Sequence, residues 1–149
     1  MEQKQVHINI SSPNLINICV DRMENGEVSG RLYHCYGREP EEFSNIIHLL
    51  NRMEGFFDSI SFPQASTKPR YFVEPEETPR VKPQKELEQK EVIRYTGELA
   101  TFVTCVKFRQ NSAWQGEFSW MERGETYRFS STLEFIKQID NALQGISDS

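Results

Sequence analysis

The sequence lacks the features of a membrane or secreted protein. No stretch approaches the roughly 18 consecutive apolar residues of a membrane-spanning helix, and the first residues, MEQKQVHINISS, contain no apolar segment typical of a signal peptide. The three cysteines, Cys19, Cys35 and Cys105, are odd in number and widely spaced, which is a poor basis for disulfides. We therefore expect a cytoplasmic protein without membrane contacts.

Signatures of catalysis are also missing. The sequence contains no CxxC, HExxH, GxxxxGK or GxSxG motif, and its three histidines are scattered. Cys19 and Cys105 lie beside residues expected to face inward, where a small structural role is favoured over a nucleophile. We therefore expect no enzyme activity, and neither a cofactor nor a metal site.

Positive charge is not in excess anywhere along the chain. The formal net charge is −5, and no segment forms a basic tail. Overall electrostatics therefore do not indicate binding to nucleic acid or to a membrane. Any site for an anion must be local.

What the sequence does contain is a repeated frame. CVDRMENGEVSG begins at Cys19 and CVKFRQNSAWQG begins at Cys105, 86 positions later. Aligned without a gap, residues 19–54 and 105–140 share seven identical positions among 36, and apolar positions meet apolar positions. The unbroken register favours a duplicated unit, although two unrelated hairpins followed by helices would also look alike.

Local patterns give each half the same predicted elements. Alternating apolar residues predict strands at 6–10, 15–22 and 27–36, and Asn25-Gly26 predicts a tight hairpin turn. Amphipathic helices follow in both halves, with Ile47 and Leu133 in their predicted apolar stripes. In the second half, Phe102, Val106 and Phe108 are predicted to share the inward face of one strand.

These elements predict an α+β fold built from two β-meander-helix repeats, each with about four strands and one helix. A single unit buries too little surface to fold alone, so the two are expected to pack as one pseudo-two-fold body. The first repeat covers residues 1–62 and the second covers 91–149. Residues 63–90, which hold five of the seven prolines and many charges, are predicted to form a linker.

The paired units resemble the PUR/Whirly group of single-stranded nucleic-acid-binding repeats. The resemblance lies in topology and in Arg109-Gln110-Asn111 followed by Gly116-Glu117-Phe118, with Met23-Glu24-Asn25 and Gly30-Arg31-Leu32 in the first half. It departs from the family pattern where Arg109 and Met23 replace a lysine and where Glu117 replaces an arginine. The sequence also resembles small uncharacterised bacterial proteins of the clostridial type, a resemblance that implies no function.

The PUR/Whirly resemblance implies binding of single-stranded RNA or DNA on the sheet face that points away from the helix. Lys107, Arg109 and Arg128 would neutralise phosphates, Asn111 would donate hydrogen bonds, and Trp114 would stack on bases. The alternative for these residues is structural, with Trp114 in the core and the cations in surface ion pairs.

Two other functions are consistent with the sequence. The chain could act as a protein-interaction or scaffold module, as a homodimer or with another protein, without binding nucleic acid. A cyclic-dinucleotide receptor of the PilZ type is a weaker hypothesis, because only Arg94 precedes the strand where such receptors carry paired arginines.

Overall fold

The computed structural model describes residues 14–60, 85–110 and 113–147. They form an α+β fold in which one antiparallel sheet of six strands runs in the order β3-β2-β1-β4-β5-β6. The strands are β1 (Ile16–Glu24), β2 (Glu27–His34), β3 (Glu41–Phe43), β4 (Ala100–Gln110), β5 (Ala113–Trp120) and β6 (Glu125–Phe129). The helices are α1 (Ile46–Ile60), α2 (Gln89–Val92) and α3 (Thr132–Ser147).

Within these ranges each half contributes three strands, where the sequence predicted about four. The strand predicted at 6–10 and the five prolines of the predicted linker lie outside the described residues. Because β1 pairs with β4, the two halves share one continuous sheet. No helix in the described ranges is long and apolar enough to cross a membrane.

The first hairpin turns at the predicted dipeptide. Asn25 and Gly26 have φ angles of 53° and 79°, as a type I′ turn requires at its two central positions. The turn joins Glu24 to Glu27, which face each other at the end of the β1–β2 ladder. The hairpin prediction is confirmed.

Both hairpins contain a β-bulge at the same place in the repeated frame. The register shifts between Val20 and Arg22 in the first hairpin and between Val106 and Phe108 in the second. An extra residue reverses which face every following side chain occupies. The strict alternation used in the sequence analysis therefore fails beyond each bulge.

Gly30 and Gly116 sit opposite these bulges and leave no room for a side chain. A Cβ at Gly30 would collide with the carbonyl oxygen of Cys19, and one at Gly116 would collide with that of Cys105. The obstacle is backbone in both cases, so it cannot rotate away. Close approach of two strands thus explains why both halves have glycine at this position.

The two faces of the sheet are covered differently. Helices α1 and α3 cover one face and enclose the main core, which includes Phe57, Phe102, Phe118 and Phe135. Residues 85–99, including α2, pack on the opposite face. There the side-chain amide of Asn17 donates to the carbonyl oxygens of Val92 and Tyr95, at 2.8 Å each. The last residues of the predicted linker are therefore part of the folded body.

The predicted helix stripes are confirmed at Met53, Ile139 and Leu143, which are buried, but they are wrong near the start of each helix. Ile47 and Leu133 are 60% and 59% exposed, while Leu49 and Phe135, two residues further on, are fully buried. Asn45 caps α1, since its side-chain oxygen accepts from the backbone N–H of His48 at 2.8 Å. The second residue of each helix is thus an apolar side chain exposed to solvent.

The close strand approach predicts a large effect of a single methyl group. We expect Gly116→Ala to lower the free energy of unfolding by about 1–3 kcal/mol, because backbone must move to admit the Cβ. Urea denaturation followed by circular dichroism measures the change. Gly145→Ala on α3 is the control, since a Cβ there meets nothing within 4 Å, and it should stabilise by about 0.5–1 kcal/mol. Equal effects of the two substitutions would contradict this account.

Candidate functional site

Arg109 does not lie on the open sheet face where the sequence analysis placed it. The bulge turns it toward the helices, and it is only 4% exposed. Its Nη1 donates to Glu54 Oε2 at 2.7 Å and to Asp58 Oδ1 at 3.0 Å, both on α1. Its guanidinium also lies 5.4 Å from the centroid of the Phe57 ring. Arg109 therefore fixes α1 to the second hairpin and does not present its charge to a ligand.

Trp114, predicted as a stacking residue, is a core residue. It is 1% exposed and its Nε1 donates to Glu54 Oε1 at 2.6 Å. Its ring contacts those of Phe57 and Phe135, at centroid distances of 5.6 and 6.0 Å. Trp114 therefore lies in the core, which is the structural alternative given in the sequence analysis. Glu54 accepts hydrogen bonds from both Trp114 and Arg109.

This cluster predicts that Glu54 contributes to stability. Glu54→Ala leaves the indole N–H of Trp114 without its acceptor and Arg109 with one carboxylate fewer. We expect a loss of about 2 kcal/mol in the free energy of unfolding. The matched control is Asp140→Ala, the exposed position 86 residues later on α3, with an expected change within about 0.5 kcal/mol. Indistinguishable denaturation midpoints would refute the role of the cluster.

The other predicted contact residues are more accessible. Lys107 Nζ lies 2.6 Å from Glu117 Oε1, and its side chain is 58% exposed. Arg128 faces Glu117 across the β5–β6 ladder and is exposed. Asn111 lies outside the described residues. Of the five predicted residues, the structure brings Lys107 and Arg128 together and separates Arg109 and Trp114 from them.

Lys107 and Arg128 line a surface cleft of about 500 Å³, called here the second-half cleft, which Phe108 and Gly116 also line. A first-half cleft of about 490 Å³ is lined by Asp21, Arg22, Arg31 and other residues. Each residue lining the second-half cleft lies 86 positions after one lining the first. The two halves therefore carry equivalent clefts beside their bulges.

Phe108 is the cleft residue that sequence reasoning missed. Alternation predicted it in the core, but the bulge turns it outward and it is 38% exposed. No signal in the sequence identifies it, because an inward Phe108 beside an outward Arg109 is what plain alternation predicts.

The ion pair at the first-half bulge has its charges exchanged in the second half. Arg31 donates from Nε and Nη2 to both carboxylate oxygens of Asp21, at 2.9 and 3.0 Å. Lys107 and Glu117 occupy the same two positions with the opposite order of charge. Burial raises the pKa of Asp21, but the hydrogen bonds from Arg31 and from the Glu98 N–H outweigh it and hold the pKa below the ordinary 3.8.

The lowered pKa of Asp21 gives the acid sensitivity a definite sign. The Asp21 carboxylate takes up a proton less readily in the folded protein than in the unfolded chain. Its contribution to folding stability is therefore fully present above the ordinary pKa. It is lost as pH falls through the folded pKa. We expect thermal stability to fall less steeply below about pH 4 in Asp21→Asn than in the parent protein.

Thermal unfolding measured by circular dichroism at several pH values tests this expectation. Glu42→Gln, which removes one exposed carboxylate from the same cleft, controls for the change in net charge. Parallel pH curves for Asp21→Asn and the parent would show that the pair with Arg31 contributes nothing to acid sensitivity.

The cysteines lie in the interior. Cys19, Cys35 and Cys105 are buried, and burial raises the pKa of Cys19 to about 12. A thiol that holds its proton so firmly is a poor nucleophile. In the three described ranges, no group of three or more His, Cys, Asp or Glu side chains is placed to hold a metal ion.

Comparison with known proteins assigns the chain to no family. No protein-family model matches the chain, and neither a curated protein nor a solved structure shows significant similarity to it. The clefts and the buried cluster are therefore the observations on which a function must rest.

Proposed function

We propose that this protein is a non-catalytic binding protein that takes single-stranded RNA or DNA in the second-half cleft. The observation that carries the proposal is Phe108, an exposed aromatic ring in a cleft that also contains Lys107 and Arg128. A stacking ring beside cations is the combination used to bind single strands with little sequence preference.

Each residue has a separate role in this proposal. Phe108 stacks on a base, and Arg128, which has no ion-pair partner among the described residues, neutralises a phosphate. Lys107 keeps two of its three ammonium N–H donors for a second phosphate while the third engages Glu117. Glu117 limits the local positive charge, so we expect modest affinity.

The equivalent clefts and hairpin registers support a duplicated architecture. In both halves the glycine opposite the bulge pairs with a phenylalanine of the edge strand, Gly30 with Phe43 and Gly116 with Phe129. We include in the proposal that residues 1–62 and 91–149 are two repeats of one pseudo-two-fold body. We include a cytoplasmic location in the proposal, because three widely spaced cysteines are a poor basis for disulfides.

A second candidate function is self-association or binding of a protein partner. It is favoured by Ile47 and Leu133, which are exposed at equivalent positions in the first turns of α1 and α3. Large apolar side chains repeated at matching positions suit a protein contact. This function does not involve the second-half cleft, so one set of variants separates the two.

Fluorescence anisotropy with labelled random single-stranded RNA and DNA, at about 50 and 150 mM salt, tests the main proposal. We expect binding that weakens with salt, with a log–log slope near −0.7 for each phosphate contacted. Phe108→Ala should weaken binding by about 1–3 kcal/mol, and Arg128→Ala should reduce the salt slope.

Leu133→Ala is the control, because it removes an exposed apolar side chain outside the cleft. It should leave nucleic-acid affinity unchanged, and sedimentation of the same variant tests the second function. Absence of binding at the lower salt concentration, where attraction is strongest, would refute the proposal. So would full affinity in Phe108→Ala.

A further inference from the structure

A third cleft, of about 280 Å³, lies between the end of β5, the start of β6 and α3. Trp120, Arg123, Tyr127, Gln138 and Ala142 are among its lining residues. It shares no lining residue with the second-half cleft. We call it the indole cleft, because Trp120 supplies its largest side chain.

Two buried polar atoms of the indole cleft residues lack partners. Trp120 Nε1 and Gln138 Oε1 form no hydrogen bond with any described residue, although Trp120 is 5% exposed. The Gln138 side chain is not free to reorient, since its Nε2 donates to the Arg128 carbonyl oxygen at 2.8 Å. A buried donor and a buried acceptor without partners are both destabilising unless something bonds to them.

The first half shows what fills the corresponding space. His34 pairs with Ile16 as Trp120 pairs with Phe102, 86 positions later. The His34 ring is covered by the Phe56 ring, with centroids 3.9 Å apart and planes 16° from parallel. Ala142 stands 86 positions after Phe56. The second half thus has alanine where the first half has the ring that stacks on His34, and the Arg123 guanidinium lies over the Trp120 ring instead.

The acceptor has been lost together with the ring. His34 Nε2 lies 2.7 Å from Glu41 Oε2, and the residue 86 positions after Glu41 is Tyr127. The Tyr127 hydroxyl donates to Glu125 at 2.5 Å, and Trp120 Nε1 has no acceptor among the described residues. Two substitutions at matching positions therefore explain both the empty volume and the unpaired indole N–H.

We infer that the indole cleft binds a planar heteroaromatic ring that carries a hydrogen-bond acceptor and a donor, the chemistry of a nucleobase. The ring takes the place that Phe56 occupies over His34. Its acceptor receives the Trp120 N–H, and its donor bonds to Gln138 Oε1. The volume suits a single base with part of its sugar, since sites for larger ligands begin near 300 Å³.

Arg123 extends this chemistry to the mouth of the indole cleft. Its guanidinium lies 4.8 Å from the centroid of the Trp120 ring, on an exposed turn. From there it can pair with a phosphate attached to the bound base. The base can belong to a free nucleotide or to a strand. Only in the second case does the inference rest on the proposed function.

Nuclear magnetic resonance of the two indole N–H groups tests the inference directly. Nucleosides, nucleoside monophosphates and a short oligonucleotide are titrated separately into the full ¹⁵N-labelled chain. We expect the Trp120 indole signal to shift as its N–H gains an acceptor. The Trp114 signal should stay in place, because its N–H is already bonded to Glu54. Trp120→Phe assigns the two signals.

Ala142→Phe provides the decisive variant, since it restores the ring found in the first half. It should weaken binding of the responding nucleotide by about tenfold or more, and its circular dichroism should match that of the parent. Gln144→Phe adds the same ring at an exposed position of α3 outside the cleft and should leave binding unchanged. Gln138→Leu, which removes the orphaned acceptor, should also weaken binding.

The outcomes separate this inference from the proposed function. Response of Trp120 to free nucleotides, blocked by Ala142→Phe, supports the inference even if oligonucleotides do not bind. If Phe108→Ala weakens oligonucleotide binding and Ala142→Phe does not, the inference is overturned and the proposed function is supported. No shift of the Trp120 signal with any probe overturns it.

Discussion

The contact of Arg109 with Glu54, Asp58 and the Phe57 ring is the constraint on which the arrangement of the two halves depends. Arg109 belongs to the second hairpin, whereas its partners all belong to the helix of the first half. A guanidinium removed from water requires such partners, because an unpaired buried charge is strongly destabilising. Glu54 also accepts the Trp114 N–H, so the same carboxylate orders the core and the ion pair.

The bulge at Val106–Phe108 makes this contact possible. Without the extra residue, Arg109 would face away from the helices and Phe108 would enter the core, as plain alternation predicts. The bulge reverses both, so one irregularity creates the buried cluster and exposes the ring of the second-half cleft. A structural contact and a candidate binding surface therefore have a common origin.

The sequence predicted the α+β class, the hairpin at Asn25-Gly26 and the frame shared by the halves, because these depend on local turn chemistry and on repeated spacing. It misassigned Arg109, Phe108 and Trp114, because the position of a bulge depends on which strand lies opposite. Ile47 and Leu133 were misassigned for a related reason. Helical periodicity gives a stripe, but the sheet decides which part of that stripe it covers. The first-half cleft and the indole cleft could not be foreseen, since each forms where strands and a helix pack together, and local patterns do not fix that packing.

Positions 86 residues apart in the two halves often carry different side chains. The ion pair of Asp21 and Arg31 reappears with exchanged charges as Lys107 and Glu117. His34, which stacks on Phe56, matches Trp120, which lies under the Arg123 guanidinium. The glycines opposite the bulges are the same in both halves, whereas the side chains around them differ.

The outer strands of the described sheet are its shortest. Strand β3 has three residues and β6 has five, and both carry charged side chains, Glu41 and Glu42 on one and Glu125 and Arg128 on the other. Short, charged edges offer little template for a further strand. Extension of the sheet by a second copy of the chain is therefore disfavoured at both edges. If two copies associate, their helices rather than their strands would meet, and the backbone hydrogen-bond ladder would end within each molecule.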